Sequence, residues 1–470
     1  MISILHVTPH LGGGVGRVLL NYLDHTFACE HERHSLVCLD YANPGAVARA
    51  AEIGIPLGDR MAGRMPELLK LVARADIVVL HWWNHPLLYA LLVRETLPAA
   101  RLLLWSHVSG LFPTQNFTDE LIRYPDYFVV ASPVSFEAPA LKRLQAAERD
   151  RVRLIFSCAG IAHVASAQPL PHQGFRIGYV GTVDYCKMHP RFIQMSVAAD
   201  IPEAHFVVCG GPNEVGIRQE AIRAGVAERF DFLGQVSDVA ARLATFDVFG
   251  YPLAPYHYGT GEQALIEALA VGIPPVVLGN GAEQYIVQDG VTGLVAKDER
   301  AYSRALEQLH RQPELRRTLS ENARRAARAT YTIESLTSSW SALYRESLKR
   351  RKRSRSWPGS CEGRPTGAEI FLASLGEYGD DYAESMVHEA NCAVIDADAR
   401  IADGSELFRS KTRGSVFHYQ SFFPHDPWLN FWCGLMQRHE GNREDSDRYF
   451  NDAGKHINGA RMGRYPRGSK

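Results

Sequence analysis

Three glycine-bordered segments hold the residues best suited to chemistry in this 470-residue sequence. The first, Pro9-His10-Leu11-Gly12-Gly13-Gly14-Val15-Gly16-Arg17, directly follows an apolar run. Glycine lets a backbone approach a ligand closely. A helix starting there turns unpaired N–H groups and a partial positive charge toward an anion such as a diphosphate, with Gly13 and Gly14 nearest to it. A tight strand-to-helix turn without a ligand accounts for the same letters. The second segment, Gly181-Thr182-Val183-Asp184-Tyr185-Cys186-Lys187, ends on a lysine that either neutralises a leaving diphosphate or is simply solvated. The third runs from Tyr256 through Gly259, Thr260, Gly261, Glu262 and Gln263 to Glu267. Glu262 and Glu267 stand about 140° apart on an ideal helix. They cannot share a stripe, so Glu262 belongs to the loop or first turn and Glu267 one turn deeper. Carboxylates there accept hydrogen bonds from ribose or hexose hydroxyls, or merely cap the helix.

His81-Trp82-Trp83-Asn84-His85-Pro86 follows another apolar run. Paired tryptophans beside polar groups suit stacking on a sugar ring or covering a lipid-linked acceptor, and equally suit core packing. Pro86 argues against a metal-binding helix through His81 and His85. Asp396-Ala397-Asp398 has the letters of a metal-diphosphate anchor but lies in the tail, and no metal or other cofactor is expected.

Elsewhere the composition narrows the function classes. With 46% hydrophobic and 22% charged residues the chain reads as globular with substantial cores, and a net charge of −1 argues against a general nucleic-acid binder. Its eight cysteines form no CxxC pair, which fits a reducing cytoplasmic setting. The opening Met1-Ile2-Ser3-Ile4-Leu5-His6-Val7 reads as a strand rather than a signal peptide, and no apolar run reaches the roughly 18 residues of a membrane span.

These candidates must be positioned by alternating strands and helices. Ile2 to Val7, Leu36 to Asp40, Ile77 to Leu80, Leu102 to Trp105 and Tyr127 to Ala131 are short, β-rich and continuous enough to be buried on both faces of a parallel sheet. After the polar, proline-containing stretch Gln168 to Gly174 the pattern restarts with Phe175 to Val180, Phe206 to Cys209, Phe230 to Leu233, Val248 to Tyr251 and Pro275 to Leu278. The reading is a first domain over 1–168, a second over 175–330, and a helix over 331–349 that crosses back to the first. A basic linker over 350–366 and a mainly helical extension over 367–470 follow. Lys349-Arg350-Arg351-Lys352-Arg353-Ser354-Arg355 suits either a solvated linker or contact with anionic lipid. Trp428 to Ala453 resembles one tetratricopeptide-like hairpin. A single repeat cannot bury its own apolar face, so it must pack on the preceding domains, on the rest of the tail or on a protein partner.

The order of the second-half segments is similar to the donor half of GT-B glycosyltransferases, and closest to the retaining family 4 group. It runs from the Gly181 turn with Lys187 through Cys209-Gly210-Gly211-Pro212, Leu233-Gly234-Gln235 and Glu267-Ala268-Leu269-Ala270-Val271-Gly272 to Asp289-Gly290-Val291-Thr292-Gly293. The resemblance covers roughly residues 1–348. It implies an α/β GT-B architecture, two Rossmann-like domains facing across a cleft, here with a helical C-terminal extension. It also implies transfer of a hexose from a UDP- or GDP-sugar to a glycan or lipid-linked hydroxyl acceptor, in surface polysaccharide or glycoconjugate synthesis at or near the inner membrane face. Lys187 would bind the diphosphate, Glu267 the ribose, Gly13 and Gly14 the phosphates from across the cleft. His107, in Trp105-Ser106-His107, would face the acceptor, with His81, Trp82 and Trp83 beside it. Two positions depart from the family: Thr182 stands where an arginine is usual, and Gly259 where a glutamate is usual. Glu262 is the nearest substitute for the latter, with Gly181, Gly259, Thr260, Gly261 and Gln263 around the donor. A nucleotide-sugar epimerase of the same architecture and a non-catalytic binding module remain the alternatives.

Overall fold

The computed structural model describes residues 1–27, 29–359, 363–387, 392–404, 408, 413–454 and 457. Each of the two sets of apolar runs forms one parallel sheet. The first comprises β1 (Ile2–Thr8), β2 (Glu32–Cys38), β3 (Leu57–Gly58), β4 (Ile77–Trp82), β5 (Leu97–Ser106), β6 (Tyr127–Val130) and β7 (Val152–Leu154), ordered β3-β2-β1-β4-β5-β6-β7. The second comprises β8 (Phe175–Val180), β9 (Ala204–Cys209), β10 (Phe230–Gly234), β11 (Val248–Tyr251), β12 (Pro275–Leu278) and β13 (Leu294–Ala296), ordered β10-β9-β8-β11-β12-β13. In both, strand order reverses beside the first strand, which opens a crevice at the carboxyl ends of β1 and β4 and of β8 and β11. The central strands β4, β11 and β12 are buried along their whole length, as helices on both faces require. The edge strands β3, β7 and β13 have only two or three residues, too few to show a period in the sequence.

One face of the first sheet is covered by the Gly13–Thr26 helix and by the Ile333–Leu348 helix, which returns from the second domain. Trp340 lies 4.8 Å from Trp105 between ring centroids, and the Tyr22 and Tyr344 hydroxyls meet at 3.1 Å.

The basic run after that helix is built into the first domain instead of forming a free linker. Arg353–Arg355 is a further strand, β14, antiparallel to the start of β5. Arg355 is buried, pairs with Asp126 and donates to the carbonyls of Tyr124 and Ala100. Lys352 donates to the Ala75 carbonyl at 2.6 Å, and Arg350 lies 4.4 Å above the Tyr127 ring. The cause is Asp126, a buried acid that needs a cation. Composition shows the arginines but not the partner far upstream. Residues 360–362 of the expected linker and 458–470 of the extension lie outside the described residues.

The extension covers the other face. Helices Gly367–Leu375, Val416–Phe422, Pro427–His439 and Arg443–Ala453 share one core with β4, β5 and the Pro86–Arg94 helix, where Phe371, Tyr419, Phe431 and Trp432 join Trp82 and Tyr89. The hairpin over 427–453 therefore packs on the rest of the extension, whose Gly367–Leu375 and Val416–Phe422 helices lie against the Pro86–Arg94 helix of the first domain. Among the described residues no helix is long and apolar enough to cross a membrane.

Candidate active site

The Tyr256–Gln263 loop lies between the carboxyl ends of both sheets. Glu262 caps the Gln263–Val271 helix with φ +27° and ψ +61°, a left-handed conformation that costs a non-glycine residue on the order of 1–3 kcal/mol. That conformation turns the carboxylate back along the loop. Its Oε2 lies 3.0 Å from Lys187 Nζ and accepts the Tyr251 hydroxyl at 2.7 Å. Its Oε1 is buried with no hydrogen-bond partner among the described residues. A Cβ placed on Gly259 would stand 1.8 Å from this Oε1. Glu262 thus fills the space where a side chain at 259 would begin, and glycine at 259 is what makes room for it.

Burial opposes charge on Glu262, but Lys187 and His257 outweigh it and hold the carboxyl below its ordinary range. Burial likewise opposes charge on Lys187, and Glu262 outweighs it, raising the ammonium's pKa. Behind them His257 Nε2 meets Glu283 Oε2 at 3.0 Å. Burial works against the charged imidazole, yet Glu283 raises its pKa. A basic group already paired with a carboxylate can be shared with an incoming diphosphate at little reorganisation.

Thr260, Gln263 and Glu267 tie the second domain to the first instead of facing the Lys187 pair. Thr260 Oγ1 donates to the His107 carbonyl at 3.1 Å, Ser109 N to the Tyr258 carbonyl at 2.9 Å, and Gln263 Nε2 to the Gly160 carbonyl at 3.0 Å. Glu267, 1% exposed, accepts from Arg17 at 2.6 Å and meets His163 at 2.9 Å. Gly261 lies against the Ser157 carbonyl, 2.4 Å from where its Cβ would be. A hinge cavity of about 910 Å³ opens on Arg17, His163 and Arg328 and holds none of the candidates except through that arginine.

A cleft of about 450 Å³ is lined by Gly12, Gly13, Gly14, Trp83, His107 and Tyr258, together with His10, His85, Arg413, His418 and Phe422. Gly13 has φ +59°, and a Cβ on Gly13 or Gly14 would meet nothing within 4 Å, so the turn presents bare backbone to the cleft. Burial lowers the His107 pKa to about 3 and keeps the ring neutral. His81 and Trp82 do not reach this cleft. Alternation along β4 sends Trp82 into the core beside Phe117, and His81 lies fully buried against His107 at 2.9 Å. Gly181 and Thr182 form the turn above β8, where the Thr182 carbonyl accepts from Tyr179 at 2.7 Å.

Four contributors have no counterpart among the sequence candidates. Arg17 and His163 carried no signal beyond adjacency to a glycine turn. Tyr258 was legible only as part of the loop. Arg413, from the extension, lies 4.9 Å above the Tyr258 ring and donates to Cys186 beside the Gly181–Lys187 turn. Burial opposes its charge, but Tyr258, Cys186 and Asp184 raise its pKa. No motif surrounds it. Among the described residues no group of three or more His, Cys, Asp or Glu is arranged to hold a metal.

Residues 165–326 match the sequence profile of the family described as Glycosyl transferases group 1. D-inositol 3-phosphate glycosyltransferase of Salinispora arenicola is 31% identical over 174 residues, which is 34% of this chain and 38% of that protein. The enzyme of the same name from Mycobacterium avium is 29% identical over 193 residues, 39% of this chain and 45% of that protein. The match spans less than half the length of either relative. Among solved structures, Anabaena HepE in complex with UDP-glucose superposes with a TM-score of 0.60 at 14% identity, covering 74% of this chain and all of that one. A glycosyltransferase from Rickettsia africae gives 0.61 at 12% identity, covering 74% and 99%. At these identities the likeness establishes the GT-B fold, and about a quarter of this chain has no counterpart in those structures.

Proposed function

We propose that this chain, its residues 165–326 being a glycosyl transferases group 1 domain on a GT-B fold, moves a hexose from a nucleotide-diphosphate sugar to a hydroxyl acceptor, with retention at the anomeric carbon. One observation carries the reading. The Glu262 carboxylate fills the volume of a side chain at 259, one oxygen on Lys187 and the other buried without a hydrogen-bond partner among the described residues. Buried polar atoms are rarely left unpaired, and a donor-sugar hydroxyl supplies what Oε1 lacks.

In the reaction the acceptor oxygen bonds to the anomeric carbon on the face from which the diphosphate departs; the electron pair leaves with the diphosphate, and the acceptor's hydroxyl proton passes to a departing phosphate oxygen. Lys187 and the bare backbone of Gly13 and Gly14 offset the developing negative charge. Arg413 stands in for the arginine that Thr182 replaces: it reaches the same turn from the extension and remains charged. His107 faces the reacting sugars, Trp83 offers a stacking face, and Glu267 takes the ribose once Arg17 yields its place. The donor is a UDP- or GDP-sugar and the acceptor a glycan or lipid-linked hydroxyl, in cytoplasmic synthesis of surface polysaccharide or glycoconjugate.

A thermal-shift series with UDP-, GDP- and ADP-sugars tests the donor, because a ligand of the folded state raises apparent stability by mass action. One class should stabilise the wild type and fail to stabilise Glu267→Ala. No stabilisation by any sugar nucleotide sinks the reading, and donor isomerised without acceptor replaces it with an epimerase.

A further inference from the structure

His107 is the last of four imidazoles that cross the first sheet in a single hydrogen-bonded row. His34 on β2, His6 on β1, His81 on β4 and His107 just past β5 all lie on the face that carries Ile4, Leu36, Val79 and Leu103. The pairings His34 with Ile4, His6 with Val79 and His81 with Trp105 step each histidine one strand over and two residues toward the cleft. Such diagonal neighbours on one face are within reach of long side chains. The rings stand 5.1 to 5.2 Å apart between centroids.

The polarity of the row is uniform. His107 Nε2 meets His81 Nδ1 at 2.9 Å, His81 Nε2 meets His6 Nδ1 at 2.9 Å, and His6 Nε2 meets His34 Nδ1 at 3.0 Å. His34 Nε2 lies 3.3 Å from Glu32 Oε2, and neither of these buried atoms has another hydrogen-bond partner among the described residues. The remaining nitrogen, His107 Nδ1, makes no hydrogen bond among the described residues, and His107 lines the cleft.

A neutral imidazole has one N–H and one lone pair. When every ring uses both nitrogens in a row, only two arrangements are self-consistent: all protons on Nε2, or all on Nδ1. Burial, reinforced by the neighbouring rings, keeps His6 and His81 neutral. Burial also opposes charge on Glu32, but His34, Ser341 and the charge of Arg345 outweigh it and keep it a carboxylate. A carboxylate only accepts, so with a neutral His34 the proton sits on Nε2, and the choice passes ring by ring to the cleft.

We propose that Glu32, through His34, His6 and His81, locks His107 in its Nε2–H tautomer, so that Nδ1 meets the cleft as a hydrogen-bond acceptor for a sugar hydroxyl. The ligand class follows from the lone pair: His107 receives a hydroxyl hydrogen and rejects a carbonyl or phosphate oxygen. Glu32, His34, His6 and His81 are positioning residues, since none of them touches the cleft. The hydroxyl's identity rests on the transfer function proposed above, whereas the tautomer does not.

Long-range ¹H–¹⁵N correlation spectra of the full chain labelled with ¹⁵N-histidine read the tautomer without turnover, with the His107 signals assigned by their loss in His107→Gln. The wild type should show a bare Nδ1 and a protonated Nε2 at His107. Glu32→Gln places an amide donor opposite His34 and should shift His107 to Nδ1–H or to a mixture. His6→Phe cuts the row and should also release the tautomer, with kcat falling about tenfold and donor KM changing less than twofold. Nδ1–H at His107 in the wild type overturns the proposal. So does an unchanged Nε2–H tautomer in both variants, each confirmed folded by circular dichroism. If the tautomers behave as expected while no acceptor is glycosylated, it is the transfer function that fails.

Discussion

In the second domain Lys187 meets Glu262 of a strained loop as an opposite charge, whereas in the first domain His6, His81 and His107 are held neutral on or just past regular strands. The two constructions suit two tasks. A leaving diphosphate must be met by charge, and a lysine balanced by a buried carboxylate keeps that charge ready without leaving it unpaired. A hydroxyl must be oriented, and neutral rings fixed by strand geometry orient it without adding a field that competes with Lys187.

The charged half breaks most readily. Lys187→Met removes the nearest cation from the buried Glu262, which should lower stability by about 3–5 kcal/mol and turnover by roughly 10²–10³-fold. Urea denaturation and initial rates measure both, and a variant matching the wild type would erase the contrast. Arg413→Ala removes the charge-assisted contact proposed for the diphosphate, worth about 1.5–3 kcal/mol. Donor KM should rise about tenfold or more while the denaturation midpoint stays near that of the wild type, and a fall in stability alone would make Arg413 a strut.

The 259/262 pair sharpens the same half. Gly259→Glu should be poorly active because its side chain collides with Glu262. Adding Glu262→Gly moves the carboxylate to 259 and should recover about tenfold in rate, a coupling of roughly 1.4 kcal/mol. Additive losses would show that the two positions do not share one space.

The neutral half responds to acid. His107 is depressed to about 3 by burial, and His6 and His81 are lowered by burial and by their neighbours. Below the unfolded value of about 6.5 the unfolded chain binds more protons than the folded one, so stability rises with pH and is lost as pH falls. From about pH 7 to 6 each ring should cost about 0.7 kcal/mol. A melting temperature flat over that range would mean that the imidazoles are solvated.

How much of this was legible depends on how local each signal is. All but the shortest edge strands of both sheets stood out because continuous apolar runs mark strands covered on two faces, and Lys187 and Glu262 stood out because glycines border them. That Glu262 enters the space at 259 depends on a backbone angle that no letter specifies. Ile4 and His6, or His34 and Leu36, alternate in a way that marks His6 and His34 as core-facing, but joining them into a row requires the strand order. Arg413 and β14 lay beyond such reading. Their partners, Cys186 and Asp126, are more than 220 positions away in the chain, and nothing in the intervening residues points to them.

The β14 strand also bears on how the molecule is made. Asp126 and the sheet around it leave the ribosome early, and Arg355 only after the whole second domain. Until then the nascent first domain holds a buried acid without its counterion and an apolar face without its cover, a state that invites chaperones and proteases. A chain stopped at residue 348 would remain in that state, so the early-made domain reaches its mature stability only with the last quarter of the protein.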